Sequence, residues 1–291
     1  MNMSVRYKTV FISDIHLGSK SSQAEPLAQL LKHIRCEQLF LVGDILDGWR
    51  LKNRWHWPDA HNQVMRRFLK AAHKGTDVVL IPGNHDEVLR QFIGLTFGGV
   101  RIRPFHEHTL VDGRTFFITH GDQFDLVVQQ ARLLSKIGGW GYDALIRLNR
   151  PTNRLRKWFG MRPSSLSRTI KLRVKKACTF ISRFEEALAQ TARRRGADGV
   201  ICGHIHQPEL AEIDGIAYAN CGDWVESCSL LVEHFDGSLE LLDGLELLAA
   251  LQDDHVVDDE LPQIPIDPVD FFNFVDAFGP GSPAKVEEMA R

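Results

Sequence analysis

Five times along the chain a short run of apolar, β-prone residues ends abruptly in residues that carry chemistry. The first, Thr9-Val10-Phe11-Ile12-Ser13, runs into Asp14 and His16, and the second, Leu39-Phe40-Leu41-Val42, into Gly43-Asp44. Val78-Val79-Leu80-Ile81 leads to Pro82-Gly83-Asn84-His85-Asp86, Phe116-Phe117-Ile118-Thr119 to His120-Gly121-Asp122, and Gly199-Val200-Ile201-Cys202 to Gly203-His204-Ile205-His206. Apolar runs this short and unbroken predict buried strands. Each of the five delivers polar residues at its C-terminal end.

Between the first three runs the pattern changes to helical spacing, near residues 25–35 and 61–74, the alternation expected of an α/β sheet. Further along, Asp112-Gly113, Asp214-Gly215 and Asp236-Gly237 each separate two apolar runs. Asp-Gly in that setting signals a tight hairpin, so antiparallel strands join the parallel ones. The expected fold is α/β, a mixed β-sandwich of two sheets flanked by helices.

The segment from about 125 to 195 divides the motif-bearing runs into two groups. It reads as two or three helices broken near Gly138-Gly139, Pro151 and Pro163, and is expected to be an inserted helical cap. The expected organisation is a core of residues 1–124 and 196–247, a cap of 125–195, and an appendage of 248–291 with several prolines and acidic clusters. The net charge of −2 conceals a sharp asymmetry. Between Leu126 and Phe184 there are fourteen Arg and Lys against one acid, Asp143, whereas beyond Gln207 only Lys285 and Arg291 oppose many acids. The cap should therefore attract anions, and Arg168, Lys171 and Lys175 fall at a spacing that puts them on one helical face. The five cysteines show no C-x-x-C spacing, which argues against a disulfide framework or a thiolate zinc site. The N-terminus lacks the apolar core of a signal peptide, and a cytoplasmic location is expected.

Asp, Asn and His gathered at strand ends suit a pair of divalent cations. Such a pair can neutralise phosphoryl charge and activate water. Nitrogen-containing donor sets favour borderline metals over calcium. Manganese is the first expectation, with iron, zinc or magnesium as the other candidates. One carboxylate must bridge two such ions, and Asp44, in a Gly-Asp-x-x-Asp turn, is placed to do so.

The blocks Asp14-Ile15-His16, Gly43-Asp44-Ile45-Leu46-Asp47, Gly83-Asn84-His85-Asp86, His120-Gly121-Asp122 and Gly203-His204-Ile205-His206 occur in the order found in the calcineurin-like metallophosphoesterase superfamily, which the chain resembles over about residues 9–210. The resemblance implies that Asp14, His16, Asp44 and His206 hold one metal ion and Asp44, Asn84, His120 and His204 the other. It further implies that His85 stabilises transition-state charge and protonates the leaving oxygen, oriented by Asp86 or Asp47. Within the superfamily the chain looks most like the UDP-2,3-diacylglucosamine diphosphatases of lipid A biosynthesis and their near homologues, and Asn220-Cys221-Gly222-Asp223-Trp224-Val225-Glu226-Ser227 resembles a segment of that group. Those enzymes carry arginine where this chain has His85.

The leading expectation is hydrolysis of a lipid-linked nucleotide pyrophosphate beneath the basic cap, with contact to an anionic membrane surface. A phosphodiesterase or phosphatase for another nucleotide or a nucleic acid is the alternative. A metal-stabilised interaction scaffold without turnover is the third.

Overall fold

The computed structural model describes residues 4–124 and 181–252. Most of these form one compact unit, residues 4–122 and 192–252, while residues 123–124 and 181–191 belong to a second. In that second unit the rings of Phe124 and Phe184 meet edge-on at 6.4 Å. Of the cap expected over 125–195, residues 125–180, with Arg168, Lys171 and Lys175, lie outside the described residues, as does the chain beyond residue 252.

The larger sheet has seven strands in the order β12-β11-β1-β2-β3-β5-β4. Its centre is parallel: β1 (Val5–Ile12), β2 (Ile34–Val42) and β3 (Asp77–Ile81), followed by β5 (Val100–Ile102). The edges are antiparallel, with β4 (Thr96–Phe97) on one side and β11 (Ser229–Glu233) and β12 (Leu239–Asp243) on the other. The smaller sheet has five strands in the order β6-β7-β8-β10-β9. Its β6 (His106–Thr109) and β7 (Thr115–Ile118) form a hairpin at Asp112-Gly113, β8 (Gly199–Cys202) runs parallel to β7, and β9 (Glu209–Ile213) turns into β10 (Ile216–Asn220) at Asp214-Gly215. All three Asp-Gly pairs sit between antiparallel strands, as expected. At Asp214 and Gly215 φ is 51° and 80°, the left-handed pair that lets a two-residue turn follow strand twist.

The period of two along each central strand explains why the sequence shows no alternation. Phe11, Phe40, Val42, Val79 and Ile81 pack against Phe116, Ile118 and Ile201 of the other sheet. Their neighbours Val10, Ile12, Leu39, Leu41, Val78 and Leu80 pack outward under helices. Both faces are covered over the C-terminal halves of these strands, so the runs Val10–Ile12, Leu39–Val42 and Val78–Ile81 are apolar throughout. The rings of Phe11 and Phe40 stack at 5.2 Å. Burying each is worth about 1.5–3 kcal/mol.

The outer layer is α1 (Ala24–His33) and α3 (Asp59–His73). In α1 the buried Ala24, Leu27, Ala28 and Leu30 fall on one stripe, and Glu25 in the first turn with Lys32 and His33 in the last complement the helix dipole. In α3 the buried stripe is His61, Val64 and Phe68. A third, short helix, α2 (Gly48–Asn53), starts at Asp47, whose side chain accepts from the Arg50 amide at 3.1 Å. A further helix, Gly244–Gln252, packs Leu248 and Leu251 into the same layer. One polar cluster crosses between the sheets: Glu233 Oε2 accepts from Thr9 Oγ1 at 2.5 Å and lies 2.9 Å from His108 Nε2, and Glu233 Oε1 accepts from the Val111 amide at 2.8 Å.

Candidate metal centre

Beyond the ends of β1 and β2 the two chains stay paired as they leave the sheet. The Asp14 amide donates to Gly43 O at 3.0 Å, His16 to Asp44 O at 2.9 Å and Leu17 to Ile45 O at 2.9 Å. This pairing holds backbone that is far from extended. Seven non-glycine residues among those described have positive φ, and five of them are Asp14 (52°), His16 (53°), Asp44 (53°), His204 (71°) and His206 (54°). Such conformations cost on the order of 1–3 kcal/mol each and collect where function demands a particular side-chain direction.

Buried carboxylates tie one loop to the next. Asp86 Oδ1 accepts from the Gly83 amide at 2.6 Å, and its Oδ2 from Ile45 at 2.8 Å and Leu46 at 3.4 Å. Asp44 Oδ1 accepts from the His85 amide and Asp14 Oδ2 from the His204 amide, both at 2.8 Å. Two glycines make room for this packing. A Cβ on Gly43, where φ is 78°, would stand 2.2 Å from the His120 ring, and one on Gly83 would stand 2.2 Å from Asp44 Oδ1.

The result is a cluster of six donors from four chain segments. Asp14, His16 and His206 form one group whose ligand atoms lie within 4.8 Å of one another, and Asp44, His120 and His204 form a second. His206 Nε2 is 2.8 Å from Asp14 Oδ1 and 3.3 Å from His16 Nε2. Asp44 faces both groups: Oδ2 is 3.7 Å from His16 Nε2, and Oδ1 is 3.4 Å from His120 Nε2. A carboxylate directed two ways is the geometry a bridging ligand needs.

The chemistry of these donors fits cations. His120 Nδ1 lies 2.9 Å from the carbonyl oxygen of Val42, which only accepts, so Nδ1 carries a hydrogen and Nε2 is left to bind a proton or a metal. That Nε2, Asp44 Oδ2 and Asn84 Oδ1 are all buried without a hydrogen-bond partner among the described residues. Buried polar atoms left without partners are costly, and charge of the opposite sign nearby offsets that cost. The charges respond accordingly. Burial opposes charge on His16, yet the Asp14, Asp47 and Asp44 carboxylates raise its pKa to about 9. At His120 burial again opposes charge, and Asp44 raises the pKa to about 10. Burial likewise works against ionising Asp14 and Asp44, but the surrounding histidines hold both below the usual carboxylate range.

His85 sits beside this cluster rather than in either of those two groups. Its Nδ1 lies 3.1 Å from Asp47 Oδ1 and its Nε2 4.0 Å from Asp44 Oδ2. Of the two aspartates expected to orient it, Asp47 makes the contact. Asp86 instead spends both oxygens on backbone amides, where burial and Asp44 push its pKa up to about 6. Asp47 also reaches His16 Nδ1 at 3.7 Å, so His16, Asp47 and His85 form a third group with ligand atoms within 4.8 Å.

Three contributors carry no role in the sequence reading. The Asp223 carboxylate, fully buried, lies 3.8 Å from His206 Nδ1 and accepts from the Val225 and Glu226 amides. Asn220 Nδ2 donates to Gly203 O at 2.9 Å, steadying the turn before His204. Trp49 lays its ring against His85 at 4.1 Å between centroids. The first two lie in or beside the segment Asn220–Ser227 already noted for its resemblance. Trp49 stands two residues after Asp47, and nothing in the sequence singles it out.

The profile of the calcineurin-like phosphoesterase family matches residues 7–208. A UDP-2,3-diacylglucosamine hydrolase of Edwardsiella ictaluri is 28% identical over 215 residues, covering 69% of this chain and 77% of that protein. One from Porphyromonas gingivalis is 26% identical over 273 residues, covering 83% and 99%. Among solved structures, an archaeal phosphodiesterase aligns with a TM-score of 0.39 at 13% identity, over 80% of this chain and 98% of that one. Among the described residues no helix is long and apolar enough to cross a membrane.

Proposed function

Because the chain belongs to the calcineurin-like phosphoesterase family, and its relatives include proteins named UDP-2,3-diacylglucosamine hydrolase, we propose that it hydrolyses the pyrophosphate of UDP-2,3-diacylglucosamine or a similar lipid-linked nucleotide. The products are UMP and 2,3-diacylglucosamine 1-phosphate. Asp14, His16, Asp44 and His206 hold one divalent cation, and Asp44, Asn84, His120 and His204 the other, with manganese the preferred ion. When bound, such ions supply Lewis acidity that neutralises phosphoryl charge and makes water nucleophilic at neutral pH. The observation that carries this reading is the Asp44 carboxylate, buried between two groups of donors and directed at both.

The protein's own groups do the rest. Water adds its oxygen to phosphorus and sheds a proton to solvent as the bond to the leaving oxygen breaks. His85 Nε2 gives its proton to that departing oxygen and regains one from solvent. Asp47, 3.1 Å from Nδ1, fixes which nitrogen faces the reaction. We assign the basic segment 125–195, with Arg168, Lys171 and Lys175, to binding the substrate's phosphates next to an anionic membrane surface, in a cytoplasmic protein. The acidic segment 248–291 is an appendage to this machinery.

Incubation of manganese-loaded protein with UDP-2,3-diacylglucosamine should release UMP. A protein that cleaves simple phosphodiesters yet releases no UMP would refute the lipid assignment. It would favour the second reading, a phosphodiesterase for another nucleotide or nucleic acid. His85 supports that alternative, because an imidazole beside Asp47 supplies a general acid where the lipid A enzymes carry arginine.

A further inference from the structure

Three consecutive residues each grip a different part of His85. The Asp47 carboxylate lies 3.1 Å from its Nδ1, the Gly48 amide donates to its carbonyl oxygen at 2.9 Å, and the Trp49 ring covers its imidazole at 4.1 Å, tilted by 35°. On another side, the His16 ring meets it edge-on at 4.5 Å. Trp49 is 42% exposed and belongs to neither hydrophobic core, so core packing does not account for its place. What Trp49 does contact is the imidazole. An aromatic ring laid against another limits rotation of its neighbour. With Asp47 fixing one ring nitrogen, a cover on the ring face removes the remaining freedom about the Cβ–Cγ bond.

We propose that Trp49 is a positioning residue that holds the His85 imidazole with Nε2 facing the leaving oxygen. The inference rests on His85 being the proton donor and deepens that reading. It predicts that Trp49 acts on the proton-transfer step alone. Its removal should matter where the leaving group needs a proton and little where it does not. Diphenyl phosphate has the more basic leaving group of two simple probes, and bis(4-nitrophenyl) phosphate the less basic.

The test compares Trp49→Ala, Trp49→Phe, His85→Ala and the Trp49→Ala/His85→Ala double variant on both esters, with bound manganese measured in each. Trp49→Ala should lower kcat for diphenyl phosphate by roughly 10–100-fold, the scale of losing a supporting contact. KM and metal content should change little, and the loss on bis(4-nitrophenyl) phosphate should be several-fold smaller. Trp49→Phe, which keeps a flat ring, should recover most of the rate. In the His85→Ala background, Trp49→Ala should cost nothing more. Equal losses with and without His85, equal losses on both esters, or a rise in KM at constant kcat would each overturn the positioning role while leaving His85 in place. Full activity of His85→Ala on diphenyl phosphate would overturn the proton-donor reading itself, and Trp49's role with it.

Discussion

A histidine whose Nδ1 hydrogen is taken by a main-chain carbonyl has only its Nε2 lone pair to offer, and His120 is held that way by Val42. Its Nε2 faces Asp44, and His16 likewise faces Asp14 and Asp44. The pKa values of about 9 and about 10 mean that each imidazole keeps a proton at neutral pH. Both values are raised above the ordinary 6.5. The stabilisation from these pairings is therefore complete below about pH 6.5 and lost as the pH climbs through 9 to 10. A divalent cation must displace those protons, so manganese affinity should rise with pH up to about 9 to 10 and level off above it. Calorimetric titration at pH 7 in buffers of different ionisation enthalpy should record release of about two protons per chain. A buffer-independent heat would contradict the pairing. The donor residues were readable from the sequence because acids and histidines rarely end apolar runs. Trp49 and Asp223 were not, because their roles come from position in space: one lies on a neighbouring helix, the other beyond the last histidine motif.

At the scale of elements, the strands were legible and the loops that matter most were not. Strands buried on both faces leave an unbroken apolar signature, and Asp-Gly turns mark hairpins, so the central strands and three turns stood out. Six-residue α2 left no periodic trace, with Leu51 its one buried residue. Nor does a sequence display left-handed backbone at Asp14, His16, Asp44, His204 and His206, since those residues do not demand it as glycine would suggest it. What the loops do require is close approach. Gly83 lets its loop pass against Asp44, with a Cβ there only 2.2 Å from Oδ1 and 2.7 Å from the Asp44 backbone nitrogen. Gly83→Ala should weaken manganese binding about 10-fold or more by displacing the carboxylate. A variant with unaltered affinity would mean that the loop has slack.

Across the whole molecule, the site lies where strand ends from two different sheets converge, so its geometry depends on how the sheets are held together. Besides the apolar core of Phe11, Phe40 and Phe116, the Glu233–His108–Thr9 cluster fastens them. Glu233 is fully buried. Burial raises its pKa, but His108 and Thr9 outweigh that and hold it below the ordinary 4.5. Its contribution is therefore present above about pH 4.5 and vanishes as the pH falls through the lower folded value. Glu233→Ala should cost on the order of 3 kcal/mol at pH 7 in urea unfolding, with the gap narrowing below pH 4.5. A difference under about 1 kcal/mol at pH 7 would show the cluster to be dispensable. The charge asymmetry, by contrast, was legible only as composition, because its basic half falls largely on residues 125–180.

The central claim is that seven side chains hold two cations through one shared carboxylate, and counting metal ions tests it most directly. Mass-spectrometric metal analysis of desalted, manganese-loaded protein should find close to two ions per chain in the native protein. His206→Ala, confined to one group, should keep about one, and Asp44→Ala, common to both, should keep almost none. Two ions retained by Asp44→Ala, or none bound by the native protein, would contradict the account.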